Sequence, residues 1–114
     1  MMTLTVTEAV MGNVIVLKAE GFIDASTCAD LEKAIEKLVK ENKFKIVIDL
    51  SGVEFISSAG WGIFMAFLKK IRAAGGDLRI ASMVEKVEKV YRLMEFDSFF
   101  DSFVSAYEAV LSFE

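Results

Sequence analysis

The sequence predicts a single α/β domain with a mixed, mostly parallel sheet of about five strands, opened by an antiparallel hairpin and covered by packed helices. Three observations carry this expectation. Short β-branched runs alternate with amphipathic stretches of helical length along the whole chain. The run Phe44–Leu50, FKIVIDL, is almost continuously apolar, as a parallel strand covered on both faces must be. Turn chemistry at Met11-Gly12-Asn13 joins two alternating runs near the start of the chain.

Taken in order, the apolar residues between Met2 and Glu20 tend to alternate, which gives two strands, the second ending at Glu20-Gly21. Asp24 or Ser26 then caps a helix in which Cys28, Leu31, Ile35 and Leu38 recur at spacings of three and four. That helix ends near Glu41-Asn42, and the buried strand Phe44–Leu50 follows. Ser51 and Gly52 read as loop. A helix from about Ser58 to Ala74 stops at Gly75-Gly76, where a left-handed C-cap favours glycine. Leu78–Ala81 is the next short strand. Ser82 and Glu85 have capping-box spacing and open a helix to about Met94. Phe99–Phe103 reads as an edge strand, and Ser105 with Glu108 repeats the capping spacing before a final helix carrying Ala109, Val110 and Leu111. Residues 1–114 read as one domain, with no linker and no internal repeat.

Composition narrows the function. The 114 residues are 54% apolar and 26% charged, enough to build a core without disulfides or a metal. Net charge is −4, and the 13 lysines and arginines form no block, a poor match to the phosphate backbone of nucleic acid. The longest apolar stretch, Ala59–Leu68, is about half of the roughly 20 residues a spanning helix needs. No signal peptide is evident, and the lone cysteine, Cys28, fits a reducing compartment such as a cytoplasm and reads as a small buried hydrophobe. There is no histidine, which removes Ser-His-Asp and Cys-His nucleophiles, the usual zinc sites and the commonest general base. We therefore expect no catalytic residue, no metal ligand and no cofactor.

The informative segment is Ile48–Gly62, IDLSGVEFISSAGWG. A buried strand leads through a turn of small residues, Ser57-Ser58-Ala59-Gly60, directly into a helix whose first amides lack internal partners and carry partial positive charge. Ser57 or Ser58 is then an N-cap or an exposed hydroxyl at an anion-tolerant position. A nucleophile elbow and a P-loop both lack their flanking residues. On the residues alone a plain N-cap and phosphorylation of Ser58 by a partner kinase both stay open, the cap being the simpler. Trp61 and Met65, four apart on the same helix, are either core or part of an interface.

This segment resembles the signature of STAS-domain anti-sigma factor antagonists, which typically read Asp-Ser-Ser/Thr-Gly-Leu-Gly after a buried strand. Glu20-Gly21-Phe22-Ile23-Asp24 is similar to that family's Gly-Glu-Leu/Ile-Asp segment, Gly75-Gly76-Asp77-Leu78 to its Gly-Gly before a strand, and Val87–Phe96 to its apolar third helix. Four positions depart from the pattern. Ser57 stands for the motif aspartate, Ala59 for the second Ser/Thr, Trp61 for the usual Leu, and Phe22 for the usual Glu.

The resemblance implies a cytoplasmic regulator in a partner-switching circuit, not an enzyme. The unmodified protein would bind an anti-sigma factor that is also a serine kinase, phosphorylation at Ser58 would release it, and a serine phosphatase would reset it. Asp24, Ser57, Ser58, Ala59, Gly60, Trp61 and Met65 are the expected partner-binding residues, and the chain is expected to be a monomer or weak homodimer. A STAS scaffold or ligand-sensing domain that is never phosphorylated is the alternative.

Overall fold

The computed structural model describes residues 3–114. Five strands form one sheet in the order β1-β2-β3-β4-β5: β1 Leu4–Met11, β2 Val14–Ile23, β3 Lys45–Ile56, β4 Asp77–Ala81 and β5 Ser102–Phe103. β1 and β2 are the expected antiparallel hairpin, with Met11 opposite Val14 across a turn in which Gly12 has a positive φ. β2, β3, β4 and β5 are parallel to their neighbours. The helices are α1 Cys28–Lys40, α2 Ser58–Ala73, α3 Glu85–Leu93 and α4 Ala106–Leu111.

Alternation within the strands sorts the apolar residues to two faces. Ile15, Leu17, Ile46, Ile48, Leu50, Leu78 and Ile80 face α1, α2 and α3, which return Leu31, Ile35, Leu38, Phe64, Leu68, Ile71, Val87 and Tyr91 to a common core. Val14, Val16, Val47 and Ala81 face the other way, beneath Ala109 of α4 with Ala106, Val110 and Phe113 packed around them. FKIVIDL is thus almost continuously apolar because its strand is covered on both sides. The mostly buried Arg79 ties α4 down: its guanidinium lies 4.1 Å from the Phe113 ring centroid, donates to Ser112 Oγ at 2.6 Å and to Asp77 at 2.9 Å.

Six local expectations change. β3 does not stop at Leu50; it runs to Ile56, and β2 extends with it to Ile23. Ser51-Gly52 is a bulge inside β3, not a loop. The Asp49 carboxylate accepts from the Ser51 amide at 2.9 Å, and the pairing slips between Lys18 and Glu20. Gly52 is needed there because a Cβ would meet Glu20 Cγ at 2.7 Å. In α1 the N-cap position falls on Thr27, while Asp24 organises the preceding turn. In α3 the N-cap is Val84, because Ser82 sits in the left-handed region at φ 62° and points the chain elsewhere. The last strand shrinks to Ser102–Phe103, since Phe96–Ser98 forms a single 3-10 turn entered through Glu95 at φ 59°. Finally, Cys28 is half-buried, its Sγ 3.7 Å from the Ala25 carbonyl, so it is not a fully buried hydrophobe. By contrast, Ser105 Oγ accepts from Glu108 N at 3.1 Å and caps α4 as its spacing predicts.

Candidate functional site

The extensions of β2 and β3 place the site. Gly21, Phe22 and Ile23 run beside Val53, Phe55 and Ile56, so both chains leave the sheet at the same carboxyl edge. In open α/β sheets that edge is where binding residues collect. Ser57 N donates to Ile23 O at 2.8 Å, fastening the turn before α2 to the end of β2.

Ser57 and Ser58 then divide the work. Ser57 has extended backbone, and its Oγ accepts from Gly60 N at 3.3 Å, so Ser57 is the N-cap. Ser58 is the first helical residue, it is exposed, and among the described residues its hydroxyl has no hydrogen-bond partner. The first turn of α2 carries no acidic residue. The resulting arrangement is an uncommitted hydroxyl on the anion-tolerant end of a helix.

The flanking small residues have separate reasons. Ala59 is exposed beside Ser58. Gly60 is buried, and a Cβ there would lie 2.6 Å from Ile23 Cγ2 and 2.9 Å from Ile56 Cγ2. The start of α2 can rest on the ends of β2 and β3 only because Gly60 has no side chain. Gly62 is exposed with no atom in the way of a Cβ. It lines an open groove of about 430 Å³ between α1 and α2, with Glu32, Ala59, Ile63, Ala66 and Lys70.

Asp24 stands on the neighbouring loop. Its Oδ1 accepts from Ser26 N at 2.8 Å, Ser26 Oγ at 2.7 Å and Thr27 N at 3.2 Å. The Ser26 hydroxyl first, then these amides, hold its carboxyl below the ordinary 3.8. The turn therefore presents a fixed negative charge at neutral pH. Thr27 closes it, donating its hydroxyl to Phe22 O at 2.7 Å.

Trp61 is a core residue and leaves only 4% of its surface exposed. Its ring stacks on Phe96 at 4.8 Å and 20°, meets Phe64 edge-on at 5.8 Å, and lies 5.8 Å from Tyr91. A side chain so placed offers little surface to a partner, so the expectation that Trp61 contacts one directly gives way to a role in fixing the first turn of α2 against α3. Met65 is half-buried against the same core. Apolar surface is supplied instead by Phe55, 48% exposed, whose ring lies 6.2 Å from that of Phe22. Phe55 lies beyond Leu50, in the part of β3 that the apolar run does not mark, and the α1–α2 groove leaves no signal in the residue order. Among the described residues, no three His, Cys, Asp or Glu side chains gather as a metal site.

Comparison with known proteins agrees with this geometry. The STAS domain family model matches residues 5–109. The anti-sigma-F factor antagonist RsfB of Mycobacterium tuberculosis is 46% identical over 69 residues, 60% of this chain and 57% of that protein. The alignment thus spans little more than half of that curated relative. A solved anti-sigma factor antagonist from Mycobacterium paratuberculosis superposes with a TM-score of 0.87 at 28% identity, covering 96% of this chain and 92% of the other. The Bacillus cell fate determinant SpoIIAA shares the fold at 14% identity, with a TM-score of 0.74 over 96% of this chain and 100% of its own. With a family match over residues 5–109, nearly the whole length, the chain belongs to the STAS domain family.

Proposed function

We propose that the chain is an anti-sigma factor antagonist, a non-enzymatic regulator that binds an anti-sigma factor in its unmodified form and is released when that partner, a serine kinase, phosphorylates Ser58. The observation that carries this reading is the division between the two serines. Ser57 is occupied as the cap, which leaves Ser58 exposed and unengaged on the first turn of α2. The similarity to antagonists of anti-sigma factors supports the class of partner.

The switch is electrostatic. A phosphate adds about −1.5 to −2 charge and three acceptor oxygens. At the first helical position it meets free amides and the positive end of the helix, so the domain keeps its fold. A partner surface shaped to desolvate a neutral hydroxyl meets an unpaired charge instead, and burying such a charge is costly. Asp24, Ser57, Ala59 and the Phe22–Phe55 pair frame the surface that the partner covers; Gly60 and Trp61 support it from beneath. A serine phosphatase restores the binding form.

Affinity purification from the native host, with mass spectrometry of partners and of phosphosites, tests this directly. We expect a serine kinase of the anti-sigma class and phosphate on Ser58, with Ser57 unmodified. Phosphate on Ser57 alone, or a partner set without such a kinase and an unmodified Ser58 across growth conditions, would overturn it.

A further inference from the structure

The two strands that end the sheet differ in length. β5 has two residues, whereas β1 has eight and pairs with β2 alone. The Gly12-Asn13 turn closes on the Met11–Val14 pair, and hydrogen bonding to β2 alternates from there. Thr5, Thr7, Ala9 and Met11 therefore bond to β2, while Leu4, Val6, Glu8 and Val10 turn their amides and carbonyls outward. Such an edge is a template for another strand, and folded proteins commonly guard it with proline, lysine or a bulge. β1 has none of these guards. Its sequence, LTVTEAVM, holds no proline and no basic residue, and its register with β2 runs unbroken from Leu4 to Met11. Its one charge, Glu8, is drawn toward α1, with Oε1 3.4 Å from Lys37 Nζ. Val10, near the open end, is 65% exposed.

We infer that β1 pairs with β1 of a second copy of this chain, antiparallel about a two-fold axis at Thr7, so that one sheet continues across both molecules. Self-complementarity argues for a copy as the occupant. A two-fold axis perpendicular to the sheet keeps every side chain on its own face, so it must pass through a residue and not between two. The central choices are Thr7 and Glu8. An axis at Glu8 sets two carboxylates directly opposite each other, which is repulsive. An axis at Thr7 pairs threonine with threonine, Glu8 with the partner's Val6, and Val10 with the partner's Leu4. The outward-facing residues then meet only outward-facing residues, and each free amide from Leu4 to Val10 finds a carbonyl. Charge agrees: the chain carries −4, but along this edge the single acid is offset by Lys37, so two like-charged molecules can meet here without opposing charges of one sign. A single strand pair buries little surface, which makes the dimer a weak one. Because the two strands run antiparallel, the carboxyl edges of β2 and β3 in the two copies lie at opposite ends of the joined sheet. Both Ser58 surfaces stay open, and the pair is bivalent. The inference does not depend on phosphorylation of Ser58.

Sedimentation velocity of the full chain from about 5 to 500 µM tests the association, and we expect the mass to rise toward twice that of the chain with a Kd of about 100 µM or tighter. Thr7→Lys, which sets two ammonium groups face to face at the axis, and Val10→Lys, at an exposed position, should each weaken association about tenfold or more, with circular dichroism and melting unchanged. The register is read separately in a Cys28→Ala background. Thr7→Cys should form an intermolecular disulfide under mild oxidation, and Met11→Cys, far from the axis, should not. A monomer at every concentration, which would leave the edge to a strand of another protein, would overturn the inference. So would undiminished association in either folded lysine variant, or cross-linking at Met11→Cys without cross-linking at Thr7→Cys.

Discussion

At the scale of single residues, two glycines two positions apart in α2 make opposite demands. Gly60 lies against Ile23 and Ile56, so Gly60→Ala must push α2 off the strand ends; overpacking of this kind costs about 1–3 kcal/mol. Gly62 faces open space in a helix interior, so Gly62→Ala should stabilise the fold by about 0.5–1 kcal/mol through backbone entropy alone. Thermal melts of the two variants should therefore move in opposite directions, by several degrees per kcal/mol. Asp24 gives a second prediction. Its folded pKa is depressed by hydrogen bonds from Ser26 and Thr27, so the turn it organises is favoured above pH 3.8 and loses that support as pH falls below it. An NMR titration of the Asp24 carboxyl should show a midpoint below 3.8, and Ser26→Ala should raise it. A midpoint at or above 3.8 in the native protein would contradict the hydrogen-bonded turn.

At the scale of elements, a buried hydrogen bond joins α3 to the approach to β5. Tyr91 is fully buried, and its hydroxyl donates to Phe100 O at 3.0 Å. Burial pushes the phenol above its ordinary 10.0, so its support is present below pH 10 and fades as pH rises past that value. Tyr91→Phe leaves the Phe100 carbonyl without its donor and should cost about 1–3 kcal/mol in denaturant unfolding. The elements also show which sequence signals are reliable. Helical spacing located α1 and α2, and Gly75-Gly76 marked the end of α2, because periodicity and a left-handed cap are local facts. Ser51-Gly52 misled for a non-local reason. The same residues that make a loop also make a bulge, and only the neighbouring strand β2 decides between them. Ser82-Glu85 misled similarly: the spacing of a capping box was present, but Ser82 took a left-handed backbone and left the cap position to Val84.

At the scale of the whole molecule, the mixed sheet brings two segments distant in sequence, Asp24–Thr27 and Ser57–Ser58, to one edge, the surface proposed for the partner. The motif run made the serine turn legible from residue order alone, because small residues between a buried strand and a helix have few uses. Its surroundings were not legible. Trp61 turned inward because Tyr91 and Phe96, thirty and thirty-five residues further on, complete an aromatic cluster around it, while Phe55 turned outward at the end of an overhanging strand. The account predicts that charge at Ser58 acts on the complex and not on the fold.

The most direct measurement of that claim is the affinity of the proposed anti-sigma factor partner for wild-type protein and for Ser58→Asp, by calorimetry, with the melting temperature of each recorded alongside. A fixed charge at this position should weaken binding about 100-fold or more, equivalent to roughly 3 kcal/mol, while the melting temperature stays within a degree or two. Equal affinity for the two proteins would contradict the switch, and so would a loss of binding that is matched by a loss of fold.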